Sequence, residues 1–146
     1  MRIVTWNCGG ALRRKWHLLE PLHADVMVIQ ECEDPGRAKD PAYAEWADRC
    51  VWVGPTKNKG IGVFVRQGVT VQPLVLDLGP LQLFLPCLLN GELPLLAAWT
   101  RQANSPTFGY IGQLWKFLQL HRDFLMHPKA LLVGDLNSNA RWDVLS

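Results

Sequence analysis

The chain has 146 residues, enough for one domain with a real hydrophobic core and too few for two. Hydrophobic residues make up 49% of it and charged residues 19%, which excludes a disordered chain, while a formal charge of +2 is too small to mark a nucleic-acid-binding footprint by itself. Cys8, Cys32, Cys50 and Cys87 form no C-x-x-C pair and have no His at zinc-ligand spacing, so a structural zinc module is excluded and a reduced, cytoplasmic setting is expected.

Ile3 to Asn7 is a short β-favouring run that ends in Cys8-Gly9-Gly10, a strand running into a loop, with no secretory signal pattern before it. Leu12, Trp16, Leu19 and Leu22 recur at helical spacing and predict a helix that Pro21 ends near Glu20. Within it Arg13-Arg14-Lys15, beside Trp16 and His17, reads as a solvated helix face ahead of a phosphate contact. Asp25 to Gln30 is a nearly unbroken apolar run, the pattern of a strand covered on both faces. Strand, helix, strand implies a right-handed parallel crossover, which brings the ends of the two strands, Asn7 and Glu31, to the same rim of the sheet.

A polar loop over Glu33 to Asp48, with a short helix around Ala42 to Asp48, precedes strands at Val51 to Val53, Ile61 to Arg66 and Val69 to Leu76. The turns between them favour antiparallel pairing in a first, mixed sheet. Leu81 to Leu88 and Leu93 to Trp99 flank Asn90-Gly91, a hairpin signal that begins a second sheet. That stretch is Leu-rich, yet Pro86, Asn90, Gly91, Glu92 and Pro94 interrupt it, so no membrane span is read. A helix follows from Tyr110 to Leu125, and Ala130 to Val133 is a last buried strand that delivers Gly134-Asp135-Leu136-Asn137.

Glu31 is an acid where the core pattern calls for an apolar residue. A strand-end turn former accounts for it as well as a metal ligand does, and the nearby Asn7 and the later Gly-Asp-Leu-Asn favour the ligand. One carboxylate, one amide oxygen and waters suit a hard cation, Mg²⁺ with Mn²⁺ as the alternative, and suit zinc poorly. Asp135 and Asn137 are two apart, so an extended strand tip would point both to one face. Asp135 would orient or deprotonate a water and Asn137 would hydrogen-bond a phosphoryl oxygen. An Asx turn explains the same pair equally well.

Four ordered segments carry a resemblance: Thr5-Trp6-Asn7, Val28-Ile29-Gln30-Glu31, Lys59-Gly60-Ile61-Gly62-Val63-Phe64, and Val133-Gly134-Asp135-Leu136-Asn137-Ser138-Asn139. Across essentially the whole chain this pattern resembles the endonuclease/exonuclease/phosphatase superfamily. The resemblance implies an α/β fold, a four-layer α/β/β/α sandwich of two mixed sheets, and metal-assisted hydrolysis of a phosphate ester. It implies Glu31 as the principal metal ligand and Asn7 as the assisting amide. Asp135 would orient the attacking water, and Asn137 would contact the scissile phosphate. Nucleic acid or another phosphate ester is the implied substrate, with DNA preferred.

Three departures from the family pattern stand out. Gly9 takes a place where some members carry an acid. Trp99-Thr100-Arg101 stands where many have a phosphate-holding His or Tyr; Thr100 and Arg101 are the candidate phosphate contacts there, and Trp99 reads as core. The terminal Asp-His pair is not found in the 11 residues after Asp135, and His17, His23, His121 and His127 read as surface or helix-end residues. The expectation is therefore the amino-terminal portion of such a domain, with an incomplete second sheet open to self-association through its edge. A catalytically inactive phosphate- or nucleic-acid-binding module, or a fragment needing its missing segment, is the alternative to an active phosphodiesterase.

Overall fold

A computed structural model describes residues 1–102 and 108–138. Strands β1 (Ile3–Asn7), β2 (Val26–Cys32), β3 (Cys50–Thr56) and β4 (Lys59–Val65) form one four-stranded sheet in the order β1-β2-β4-β3. Strands β5 (Val71–Pro73), β6 (Phe84–Leu89), β7 (Leu93–Trp99) and β8 (Leu131–Asp135) form a second in sequence order. Both are mixed: β1–β2 and β7–β8 pair parallel, and every other neighbouring pair is antiparallel.

Strand periodicity sorts the side chains into layers. Val26, Val28, Ile61, Val63 and Val65 of the first sheet face Leu85, Cys87, Leu89, Leu95, Ala97 and Trp99 of the second, and this interface is the central core. Met27, Ile29, Cys32 and Phe64 face outward and are covered by Leu12, Leu19 and the short helix α1 (Pro41–Trp46), whose Tyr43 is fully buried. On the other side Phe84, Leu96 and Ala98 are covered by Leu114 and Phe117 of α2 (Ile111–Leu120), with α3 (Arg122–Met126) beside it. The result is an α/β/β/α sandwich, as the resemblance implies. No helix among the described residues is long and apolar enough to cross a membrane.

Three expectations need correction. The segment after β1 is not one α-helix but two 3-10 pieces, Leu12–Arg14 and Trp16–Leu22. It starts at Ala11 in a left-handed conformation without a side-chain cap, and Pro21 sits inside the second piece, where the missing N–H cannot serve an α-helical ladder. The strand expected over Val69 to Leu76 is only Val71–Pro73, and it pairs with β6 in the second sheet rather than the first. Alternation cannot tell which sheet a strand joins. The helix expected from Tyr110 to Leu125 breaks at His121, whose ring packs on Phe117 and hydrogen-bonds the Asp77 carbonyl.

Candidate active site

The sandwich brings strand ends from both sheets to one rim. On β1 the residues facing the other sheet are Ile3, Thr5 and Asn7, because Thr5 is in register with inward-facing Val28. On β8 the inward set is Leu131, Val133 and Asp135, in register with Leu95, Ala97 and Trp99. The last inward residue of each strand reaches across the seam. Asn7 Nδ2 donates to Asp135 Oδ2 at 3.0 Å, joining residues 128 apart in sequence.

The Asp135 carboxylate is held at both oxygens. Oδ1 accepts the Asn137 backbone N–H at 3.0 Å, which closes an Asx turn with Asn137 at φ +46°. The expected extended tip, with Asp135 and Asn137 side by side on one face, is thus replaced by the turn. A residue in that left-handed well cannot continue a strand. Asn137 Nδ2 donates to the Thr100 carbonyl at 2.8 Å, and Thr100 Oγ1 donates to the Leu136 carbonyl at 2.6 Å. Thr100, expected to touch phosphate, is instead fully buried with its hydroxyl committed to this loop. Arg101 is exposed, its guanidinium 5.3 Å from the centre of the Trp99 ring. Trp99 is core, as read. Asn139 of the quoted motif lies outside the described residues.

Glu31 occupies an irregular step of β2. Gln30 pairs with Ile61 and Cys32 with Gly60, so Glu31 is the extra residue of a bulge, and its φ is +61°. Without the bulge, alternation after inward-facing Gln30 would turn Glu31 into the layer that contains Ile29 and Cys32. The bulge lets Cys32 take that place and frees Glu31 at the rim. Its carboxylate stands 3.8 Å from Lys59 Nζ. Asn7 pairs with Gln30, one residue away in register. Gly9 N–H donates to Asn7 Oδ1 at 3.1 Å, which fixes the amide so that its nitrogen faces Asp135.

The two thiols beside these side chains are unreactive. Burial pushes the Cys8 and Cys32 thiols up, so both stay protonated at neutral pH and supply neither charge nor nucleophile. Behind Glu31, Glu33 is buried and takes the Arg13 N–H at 2.6 Å and the Arg13 guanidinium at 3.2 Å. Sequence reading missed Lys59, Glu33 and Arg13 as neighbours of the rim; only the β2–β4 register reveals Lys59.

The oxygen donors at the rim, the Glu31 and Asp135 carboxylates and the Asn7 amide, suit a hard cation that keeps most of its water shell. Among the described residues no three His, Cys, Asp or Glu side chains gather as a metal-binding group.

This two-sheet α/β/β/α fold is shared with several solved structures. In particular, the chain is similar to a 3'-5' exonuclease (NExo) from Neisseria meningitidis, with a TM-score of 0.61 and 24% identity over 92% of this chain and 57% of that one. It is similar to D. rerio TDP2 complexed with single strand DNA product, with a TM-score of 0.63 and 17% identity over 98% of this chain and 63% of that one. An AP endonuclease from Archaeoglobus fulgidus matches with a TM-score of 0.62 and 17% identity over 94% of this chain and 58% of that one. The chain therefore spans less than two thirds of the length of these structures. No protein-family model matches it, and no curated protein matches it.

Proposed function

We propose that the chain carries the metal-dependent site of a phosphoesterase, an endonuclease-like phosphodiesterase whose substrate is nucleic acid. The observation that carries this reading is the Asp135 carboxylate, held across the seam by Asn7 and within its own turn by Asn137. A carboxylate fixed by two N–H donors keeps lone pairs free to accept from a water, and its orientation costs nothing at the moment of reaction. The water oxygen then forms a bond to phosphorus, its proton passes toward Asp135, and the P–O ester bond breaks with its electron pair leaving on the ester oxygen, which takes a proton from solvent. Asn137 uses one amide hydrogen on Thr100 and retains the second for a phosphoryl oxygen.

Glu31, assisted by Asn7, would hold Mg²⁺ or Mn²⁺. Such a cation supplies charge stabilisation at the phosphoryl oxygens. Arg101, exposed next to the Thr100 loop, is the side chain that would reach a neighbouring phosphate. Two of the similar structures support nucleic acid as the substrate class, one described as bound to a product DNA hairpin and one as complexed with single strand DNA product.

The test is hydrolysis of bis-p-nitrophenyl phosphate with and without Mg²⁺. Asp135→Ala is expected to lower the rate by about a hundredfold or more, the usual range for removing an acid–base group, and Glu31→Ala to remove the Mg²⁺ stimulation. Rates insensitive to both substitutions overturn the reading. Binding of Mg²⁺ and phosphate without turnover favours the inactive module instead.

A further inference from the structure

A groove of about 540 Å³ opens where the chain leaves β2, lined by Arg13, Arg37, Lys39 and Lys57 together with Glu33, Asp34 and Asp40. The four cations come from three separate stretches of sequence, of which only Arg13 lies in a basic run, Arg13-Arg14-Lys15. The fold gathers them because the polypeptide leaving β2 is bonded to the β3–β4 turn, Asp34 N–H donating to the Lys57 carbonyl at 2.8 Å.

The groove's acids are turned to internal work. Glu33 is buried against Arg13, and Asp34 accepts the Gly36 N–H and the Arg37 guanidinium at 2.9 and 2.8 Å. Asp40 caps α1 by accepting the Ala42 and Tyr43 N–H groups. Lys39 and Lys57 are exposed, and neither forms an ion pair among the described residues. Four cations against three carboxylates leave the lining a net charge of +1, with Lys39 and Lys57 as its exposed cations outside any ion pair, and along the chain it begins two residues beyond the proposed metal ligand.

We propose that this groove binds the phosphate backbone of a nucleic-acid strand leading away from the site, with Lys39 and Lys57 as its phosphate contacts. This rests on the phosphodiesterase reading and deepens it. A lone phosphate ester occupies only the rim, whereas a second cationic position a short distance away matches a ligand with phosphates repeated along a chain. Because the groove offers charge and no aromatic stacking platform, the contact is with backbone and carries no base sequence.

The test is fluorescence anisotropy of a 12-nucleotide single-stranded DNA in EDTA, where metal-dependent hydrolysis is stopped, between 50 and 200 mM KCl. For K39A/K57A the slope of log affinity against log salt is expected to shrink by about 1.4, since each phosphate contact on a single strand contributes about 0.7. Affinity should fall roughly tenfold at the low-salt end. K39E/K57E should bind more weakly still, and Lys129→Ala, an exposed lysine outside the groove, should match the parent protein. Unchanged slopes in both double variants overturn the proposal. So does groove-dependent binding to phosphatidylserine vesicles without oligonucleotide binding. Hydrolysis of bis-p-nitrophenyl phosphate by the parent protein tests the catalytic reading separately: turnover with unchanged slopes refutes the groove alone, and altered slopes without turnover refute the catalytic reading alone.

Discussion

Replacing Glu31 by glycine and by alanine separates its conformational role from its chemical one. At φ +61° an L-residue with a Cβ lies in the left-handed region, which costs about 1 to 2 kcal/mol, whereas glycine adopts it freely. Glycine in turn loses about 0.4 to 1 kcal/mol through the greater freedom of its unfolded chain. The difference leaves Glu31→Gly more stable than Glu31→Ala by about 0.5 to 1 kcal/mol, the reverse of the order at an ordinary strand position. Both variants lose the exposed contact with Lys59, so that contribution cancels. In urea or thermal unfolding the glycine variant should melt about 2 to 3 °C higher than the alanine variant, while both lose Mg²⁺-dependent hydrolysis. An alanine variant as stable as the glycine one, or more so, refutes the bulge geometry; a glycine variant that retains hydrolysis refutes the ligand role.

Gly134→Ala should destabilise by at least about 3 kcal/mol, because a Cβ there would lie 1.8 Å from the Ala98 carbonyl oxygen across the β7–β8 pair; a loss under 1 kcal/mol in urea melts contradicts that close approach. The Asp25 carboxyl is held below its ordinary 3.8, first by the Arg2 backbone N–H and then by the Arg66 guanidinium. A depressed folded value means stability that is fully present above the unfolded pKa and is lost as pH falls through the folded one. Asp25→Asn should therefore melt lower than the parent at pH 7, with the gap closing below about pH 4; a gap independent of pH refutes it.

The meeting of Asn7 and Asp135 was legible because both sit at the ends of strands whose apolar runs are unambiguous. The parallel crossover places Asn7 and Glu31 on one rim, and the last strand delivers Asp135. What the sequence did not show was how each side chain is aimed. Glu31 depends on a bulge, which is set by pairing between β2 and β4 and leaves no local signature. The Asp135-x-Asn137 spacing fits both an extended tip and an Asx turn, and the choice falls to Thr100, 37 residues from Asn137, whose carbonyl receives the Asn137 amide. Arg13, Arg37, Lys39 and Lys57 were invisible as a group for the same reason: their proximity is a product of loop closure, while local sequence reports only neighbours along the chain.

The hydrogen bond between Asn7 and Asp135 links the first strand to the last described one. A chain that has formed either sheet separately owns only half of that contact, so the constellation cannot exist before the halves dock. A single domain of this size folds all-or-none, so hydrolysis should return together with the helical and strand signals and never ahead of them.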